Sequence, residues 1–193
     1  MRALTLWQPW ASLIAIGAKP WEFRSWRPPA ALVGRRLAIH AAARPMKVEE
    51  LVAMIAGLRG HPRFERPALI GEIALPFLLK ALEGLRAGPA TKGELFDAPP
   101  ALRLPLSAIV CTAKLGEPRH GLDCAQEMGL PVDRRVEAHA QFNLGWPMLD
   151  VRPLAPPLPC RGAQGLWDAP FSEGEIVLHE RAAFDMERAA RAS

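Results

Sequence analysis

Twenty prolines spread through 193 residues constrain this chain more than any other feature. Each proline lacks a backbone N–H and fixes its φ, so it ends or kinks a helix and leaves a gap in a central strand. The chain is therefore cut into short elements, and a bundle of long helices is disfavoured. Half of the residues are apolar, enough for a packed core and too many for a disordered chain. The length suits a single domain with a full core. No apolar run approaches the roughly 18 residues that span a bilayer. The N-terminal apolar run is too short and too interrupted for a signal peptide, so it reads as mature protein.

Functional chemistry is concentrated between Ala3 and Trp26, which hold Trp7, Trp10, Trp21 and Trp26 of the six tryptophans. Ala3 to Leu6 reads as a short strand broken by Gln8-Pro9. Trp10 to Ile16 follows with a helical period, and Gly17 suits its C-terminal cap. Trp21 to Trp26 alternates as a strand, with Glu22 and Arg24 on one face and Lys19 at the corner before it. Two cations beside one carboxylate keep that carboxylate ionised. Such a set can grip a phosphate with Lys19 and Arg24, while Glu22 accepts from a base amino group. Exposed tryptophans nearby can stack bases, for ~1–3 kcal/mol each. Trp7 and Trp26 are the best candidates. Gln8 suits either a base edge or a cap on the turn. The competing reading of the charges is a solvated surface ion pair, contributing roughly 0–1 kcal/mol.

Further along, Arg36 to Ala41 is expected to be a strand ending near His40, a possible acid or base in a cleft. Val48 to Leu58 is expected to be a helix, with Glu49 and Glu50 in its first turn as the helix dipole favours. Ala68 to Leu75 suits a strand and Phe77 to Leu85 a short helix. Gly88 to Pro100 is loop-like. Pro105 to Leu115 reads as a buried strand, and Leu122 to Met128 as a short helix. Strand pieces are expected between Glu137 and Trp146, and a Pro-rich loop or edge from Pro147 to Pro159. Cys160 to Trp167 reads as a glycine-flexed turn. A last strand is expected over Glu175 to Glu180, and a last helix over Phe184 to Arg191. Several short strands with early helices suggest an α+β fold, a small mixed β-barrel with flanking helices.

Cys111, Cys124 and Cys160 are odd in number and contain no C-x-x-C pair, so neither a zinc site nor a disulfide framework is expected. A reducing, cytoplasmic setting follows. No nucleotide fingerprint, P-loop or nucleophile elbow occurs, and no cofactor or metal is expected. The formal charge of +4 is compatible with a nucleic-acid partner. It sets no oligomeric state.

The first segment resembles the opening of an ASCH (activating signal cointegrator homology) domain. Gln8-Pro9-Trp10-Ala11, Gly17, Lys19, Glu22, Arg24 and Trp26 fall at the spacing of that family. LAIHAA with His40, LPLSAIVCTAKL and LPCRGAQGLW resemble its later segments, in pieces up to about residue 168. The resemblance implies one PUA-like barrel over residues 1–193, with a poorly matched insertion at about 43–103. It also implies an RNA- or nucleotide-binding cleft lined by Lys19, Glu22 and Arg24, with Trp7, Gln8, Trp26 and His40 nearby. An alternative is an RNA-processing hydrolase, a ribonuclease or modified-nucleoside hydrolase, using Lys19 and Glu22 as its catalytic pair. Some family members that resemble amidohydrolases have a threonine where this chain has Glu22, so that nucleophile is missing. A third reading is a protein-interaction module built on the Pro-rich 151–159 segment.

Overall fold

A computed structural model of the chain describes residues 1–87, 102–130 and 144–179. The loop expected at Gly88 to Pro100, most of the strand pieces around Phe142 and the helix expected from Phe184 lie outside these residues. In order, the elements are β1 (Arg2–Leu6), α1 (Trp10–Ala15), β2 (Trp21–Arg24) and β3 (Arg36–Ala41). Next come α2 (Val48–Leu58), α3 (Gly71–Arg86), β4 (Ala108–Leu115), β5 (Arg119–His120) and α4 (Gly121–Glu127). The 16-residue β6 (Leu144–Pro159) and β7 (Leu166–Asp168) complete the sheet, and residues 173–179 form a last helix.

The strands form one mixed sheet in the order β2-β6-β4-β3-β1-β7, with β5 also on β6. It curls into a half-barrel, an α+β arrangement consistent with a PUA-like fold. β1 and β3 run parallel, Leu4 opposite Ile39 and Thr5 opposite His40. The long β6 makes the curl. Its first residues lie between β2 and β5, with Glu22 opposite Trp146 and Arg119 opposite Gly145. From Met148 onward it runs along β4, with two register shifts. Such irregularities bend a strand and increase its twist.

The Pro-rich half of β6 is strand, and Arg152 to Pro159 pair with β4 alone among the described residues. A strand with one neighbour has one row of backbone groups outside the ladder, which is where prolines are tolerated. The loop-or-edge expectation is thus met by an edge.

Three apolar clusters hold the layers together. Leu4, Leu6, Leu37, Ile39 and Trp146 of the sheet enclose Ala11 and Ile14 of α1. On the other side of α1, Leu13 packs with Leu51 and Ile55 of α2 and Leu78 and Leu82 of α3. Ala3, Ala38 and Ile109 meet Ile176 of the last helix. The six-residue α1 is therefore a wedge, buried on two sides. Alone it would be too short to persist in water, so packing maintains it. Among the described residues no helix is long and apolar enough to cross a membrane.

Two expectations fail. Ala68 to Leu75 is not a strand: α3 begins at Gly71 and runs 16 residues, with Pro76 inside it. Residues 173–179 are helical, not a strand. Ser172 Oγ accepts the Glu175 N–H at 3.2 Å, and the Glu175 carboxylate accepts the Ser172 N–H at 2.6 Å. This reciprocal capping box outweighs the β-branched content of the segment.

Glycine packing gives a direct test. A Cβ on Gly57 of α2 would lie 2.2 Å from the Glu65 carbonyl oxygen, whereas one on Gly71 would meet nothing within 4 Å. Ala normally stabilises a helix interior by about 0.5–1 kcal/mol over Gly. Gly57→Ala is expected to destabilise by roughly 1–3 kcal/mol through overpacking, and Gly71→Ala to be neutral or stabilising. Urea midpoints of both variants measure this, and equal midpoints would contradict the packing of the 61–67 turn on α2.

Candidate nucleic-acid interface

The corner after α1 sets the site. Gly17 adopts φ +76°, a left-handed conformation that glycine takes without steric cost, and its N–H donates to the Ile14 carbonyl at 2.9 Å. The Lys19 N–H then donates to the Leu13 carbonyl at 3.0 Å, folding the chain back toward α1. Pairing with β6 fixes β2 as a strand. Lys19, Glu22 and Arg24 therefore converge. Lys19 Nζ lies 2.9 Å from Glu22 Oε2, and Arg24 Nε lies 2.9 Å from Glu22 Oε1.

Lys19 and Glu22 are each only 6 % exposed, so this is a buried pair and not a solvated one. Lys19 Nζ also donates to the Trp21 carbonyl. It lies 5.7 Å and 5.5 Å from the ring centroids of Trp10 and Phe23. Arg24 is partly open, and its Nε meets Glu22 without the alignment of a hydrogen bond.

Two cavities adjoin this corner. One, of about 450 Å³, is bordered by Trp10, Lys19, Glu22, Phe23, Met54 and Phe64. The other, of about 640 Å³, is bordered by Trp7, Glu22, Arg24, His40, Arg161 and Gly162. Leu6, Trp10, Glu22 and Phe23 border both, so Glu22 stands on the shared wall of a two-lobed cleft. Both volumes lie within the roughly 300–1,000 Å³ of small-ligand sites.

His40 is 1 % exposed. Its Nε2 is 3.1 Å from the Cys160 carbonyl oxygen, which can only accept, so Nε2 carries the proton. In the neutral imidazole that burial favours, Nδ1 accepts the Thr5 hydroxyl proton at 3.3 Å, and Trp167 Nε1–H donates to Thr5 Oγ1 at 2.9 Å. The chain from Trp167 through Thr5 to His40 and Cys160 then runs in one direction. Burial lowers the His40 pKa, and the Cys160 carbonyl opposes this. Gly162 presses on the ring: a Cβ there would lie 2.2 Å from Cε1.

The remaining residues expected at the site divide. Trp7 borders the larger cavity and is 58 % exposed. Trp26 is 39 % exposed, borders neither cavity and packs edge-on against Trp146 with 4.7 Å between centroids. Gln8 is buried with its amide committed. Nε2 donates to the Pro105 carbonyl at 2.7 Å and Oε1 accepts the Ser12 N–H at 3.3 Å, so it caps the turn into α1. Cys111, Cys124 and Cys160 are free thiols, each held protonated by burial.

The comparison with protein families now bears on this geometry. Residues 4–75 match the family model of the ASCH domain. The family model thus spans β1, the Lys19–Glu22–Arg24 corner, β3, α2 and the start of α3. The ASCH domain belongs to the PUA-like superfamily and suggests RNA binding at the family level. No curated protein matches the chain. Sequence reasoning missed Thr5, Phe64 and Trp167 at this site, and gave the glycines of the Cys160–Trp167 turn as either letting backbone approach a ligand or shaping the turn. Thr5 and Trp167 had no signal beyond their residue types.

The neutral His40 makes stability depend on pH. An unfolded histidine takes up a proton near pH 6.5, while folded His40, with its lowered pKa, stays neutral to lower pH. The unfolded state then binds more protons, so stability falls as pH drops through about 6.5 and levels off below the folded pKa. Urea midpoints between pH 7.5 and 5.5 should show this loss in the wild type, and a smaller one in His40→Gln. Parallel pH profiles for the two proteins would refute a neutral, buried imidazole.

Proposed function

We propose that this ASCH domain binds a nucleotide unit of RNA in the two-lobed cleft. The observation that carries the reading is the Lys19–Glu22–Arg24 set, with Glu22 on the wall shared by the lobes, Lys19 on the smaller lobe and Arg24 on the larger. The smaller lobe brings Trp10, Phe23 and Phe64 beside Glu22, a setting that suits a flat base. Glu22, an acceptor on both oxygens, suits an exocyclic amino group. Arg24 and Arg161 border the larger lobe, where their guanidinium groups suit a phosphate.

Lys19 has a different role from Arg24. Its ammonium is taken up by Glu22 and the Trp21 carbonyl, so it holds the Glu22 carboxylate oriented instead of contacting the ligand. Gln8 and His40 support the cleft walls in the same indirect way. Trp26 steadies Trp146 behind β2.

A hydrolytic use of the cleft has less support. Lys19 would have to leave Glu22 to activate a nucleophile, and both His40 nitrogens are already committed. Incubation with labelled RNA separates the readings, because turnover would displace the binding reading.

The test is Arg24→Ala with a fluorescent single-stranded RNA octamer. Affinity is expected to fall about tenfold, of the order of one charge-assisted contact. Loss of one phosphate contact should also reduce the slope of log K against log salt by about 0.7. Unchanged affinity and slope in a folded variant would overturn the assignment. Lys19→Met is expected instead to cost stability, about 3–5 kcal/mol, because it leaves Glu22 buried with one oxygen unpaired and only the partly open Arg24 beside the other. Chemical denaturation reads that loss, and a change under about 1 kcal/mol would show that the pair is not buried as described.

A further inference from the structure

The rim of the larger cavity carries an arrangement that the nucleotide site does not use. Trp7 follows β1 directly and is the most exposed large apolar side chain of the cleft. Arg44, three residues beyond β3, lays its guanidinium over the Trp7 ring, with Cζ 4.6 Å from the centroid. Arg44 is itself braced. Its Nη1 lies 3.4 Å from Glu50 Oε2, and its Nη2 pairs with Glu50 Oε1. Glu50 sits in the first turn of α2, and its Oε2 also accepts the Lys47 N–H at 3.0 Å. The Arg44 hydrogen bond, followed by that from Lys47, holds the Glu50 carboxyl below its ordinary range, so the brace stays ionised at neutral pH.

These contacts have a directional consequence. A guanidinium covers one face of Trp7, yet 58 % of the residue remains exposed. An indole braced on one face and open on the other is a ready stacking surface. It loses little side-chain freedom on binding, because Arg44 already limits its rotation. Its place on the rim matters as much. Trp7 borders the same cavity as Arg24 and Arg161, so a chain whose phosphate lay between those arginines would pass the open face of Trp7. Arg44 adds a further cation at that point. Simple surface packing accounts for the Arg44–Trp7 contact, but gives no reason for a large apolar face to stand open on the rim of a cationic cavity.

We propose that Trp7, braced by Arg44 and Glu50, is a stacking subsite for a second base. The ligand of this cleft is then a single-stranded oligoribonucleotide of at least two residues, and not a free mononucleotide. This rests on the reading of the cleft as a nucleotide site. It adds a length requirement that Lys19, Glu22 and Arg24 do not themselves impose.

The experiment compares the four nucleoside 5′-monophosphates with the four 5′-phosphorylated homodinucleotides, by calorimetry on the full chain at one fixed salt concentration. For at least one base, the wild type is expected to bind the dinucleotide about tenfold or more tightly than the mononucleotide, within the range of one base–aromatic stack. In Trp7→Ala that ratio should fall to near that expected from the added phosphate charge alone. Trp7→Phe should retain most of it, and Arg44→Ala should reduce it in part. Trp7 is largely exposed, so folding of the Ala variant is expected and circular dichroism checks it. Mononucleotide binding with no dinucleotide gain, or a gain that persists in Trp7→Ala, overturns the subsite while leaving the nucleotide site standing. Absence of binding by every mononucleotide and dinucleotide overturns the nucleotide reading and the subsite with it.

Discussion

The Lys19–Glu22 ion pair is the interaction on which the rest of the arrangement depends. Two opposite charges removed from water are costly unless each is satisfied, and here each is. Glu22 receives Lys19 on one oxygen and Arg24 near the other. Lys19 receives a carboxylate, a carbonyl and two aromatic faces. The pair therefore fixes the angle between α1 and β2. That angle also decides where the helical layer sits, because the Ala18 carbonyl at the same corner accepts the Ile70 N–H at 2.9 Å, just before α3 begins. The corner thus joins the sheet, the wedge helix and the α2–α3 pair, and the cleft lies where these three parts meet.

The opposite wall is built on different physics. Around His40 there is a neutral hydrogen-bond chain in which every donor finds one acceptor. Its members come from β1, β3, β7 and the 160–165 turn, so the chain ties the start of the molecule to its far end. Close approach of the Gly162 backbone is possible only because no Cβ intervenes. One wall of the cleft is thus held by ion pairing, whereas the other is held by hydrogen bonds and close packing. Arg24 stands on the first wall and Arg161 on the second, and both border the larger cavity.

Legibility in the sequence followed the range of the interactions. β3 and α2 could be read at their observed bounds because each carries its own period and its own stop. The Lys19–Glu22–Arg24 corner was readable for the same reason: glycine, lysine, carboxylate and arginine lie within eight residues. The first turn of α3 was misread because ALIGEIAL has no polar cap, and Pro76 suggests a break that the helix accommodates. The 173–179 helix carries its Ser172–Glu175 capping signal in the sequence, but the β-branched pair Ile176-Val177 in EIVLHE favours a strand and masks it. Burial of the ion pair was not readable at all. It arises from Trp10, Phe23 and the helical layer closing over Lys19, contacts that local spacing does not encode. The role of Gln8 was similarly hidden, since its partner Pro105 lies 97 residues away.

The functional consequence follows from the order in which energy terms are met. In a loose surface site, binding a nucleotide would have to fix an arginine, orient a carboxylate and desolvate both. In this chain, folding has already carried out most of those steps. Lys19 holds Glu22 in place before any ligand arrives, and Glu22 in turn holds Arg24 by its inner nitrogen, leaving the outer part of the guanidinium toward the cavity. The Arg44–Glu50 brace does the same for Trp7 at the rim. Preorganisation of this kind raises affinity by lowering the ordering cost and not by adding contacts. It also gives the acidic residue a place beside two cations. Without Glu22 the two cations would repel and spread; with it, the corner keeps a net positive charge in one fixed geometry.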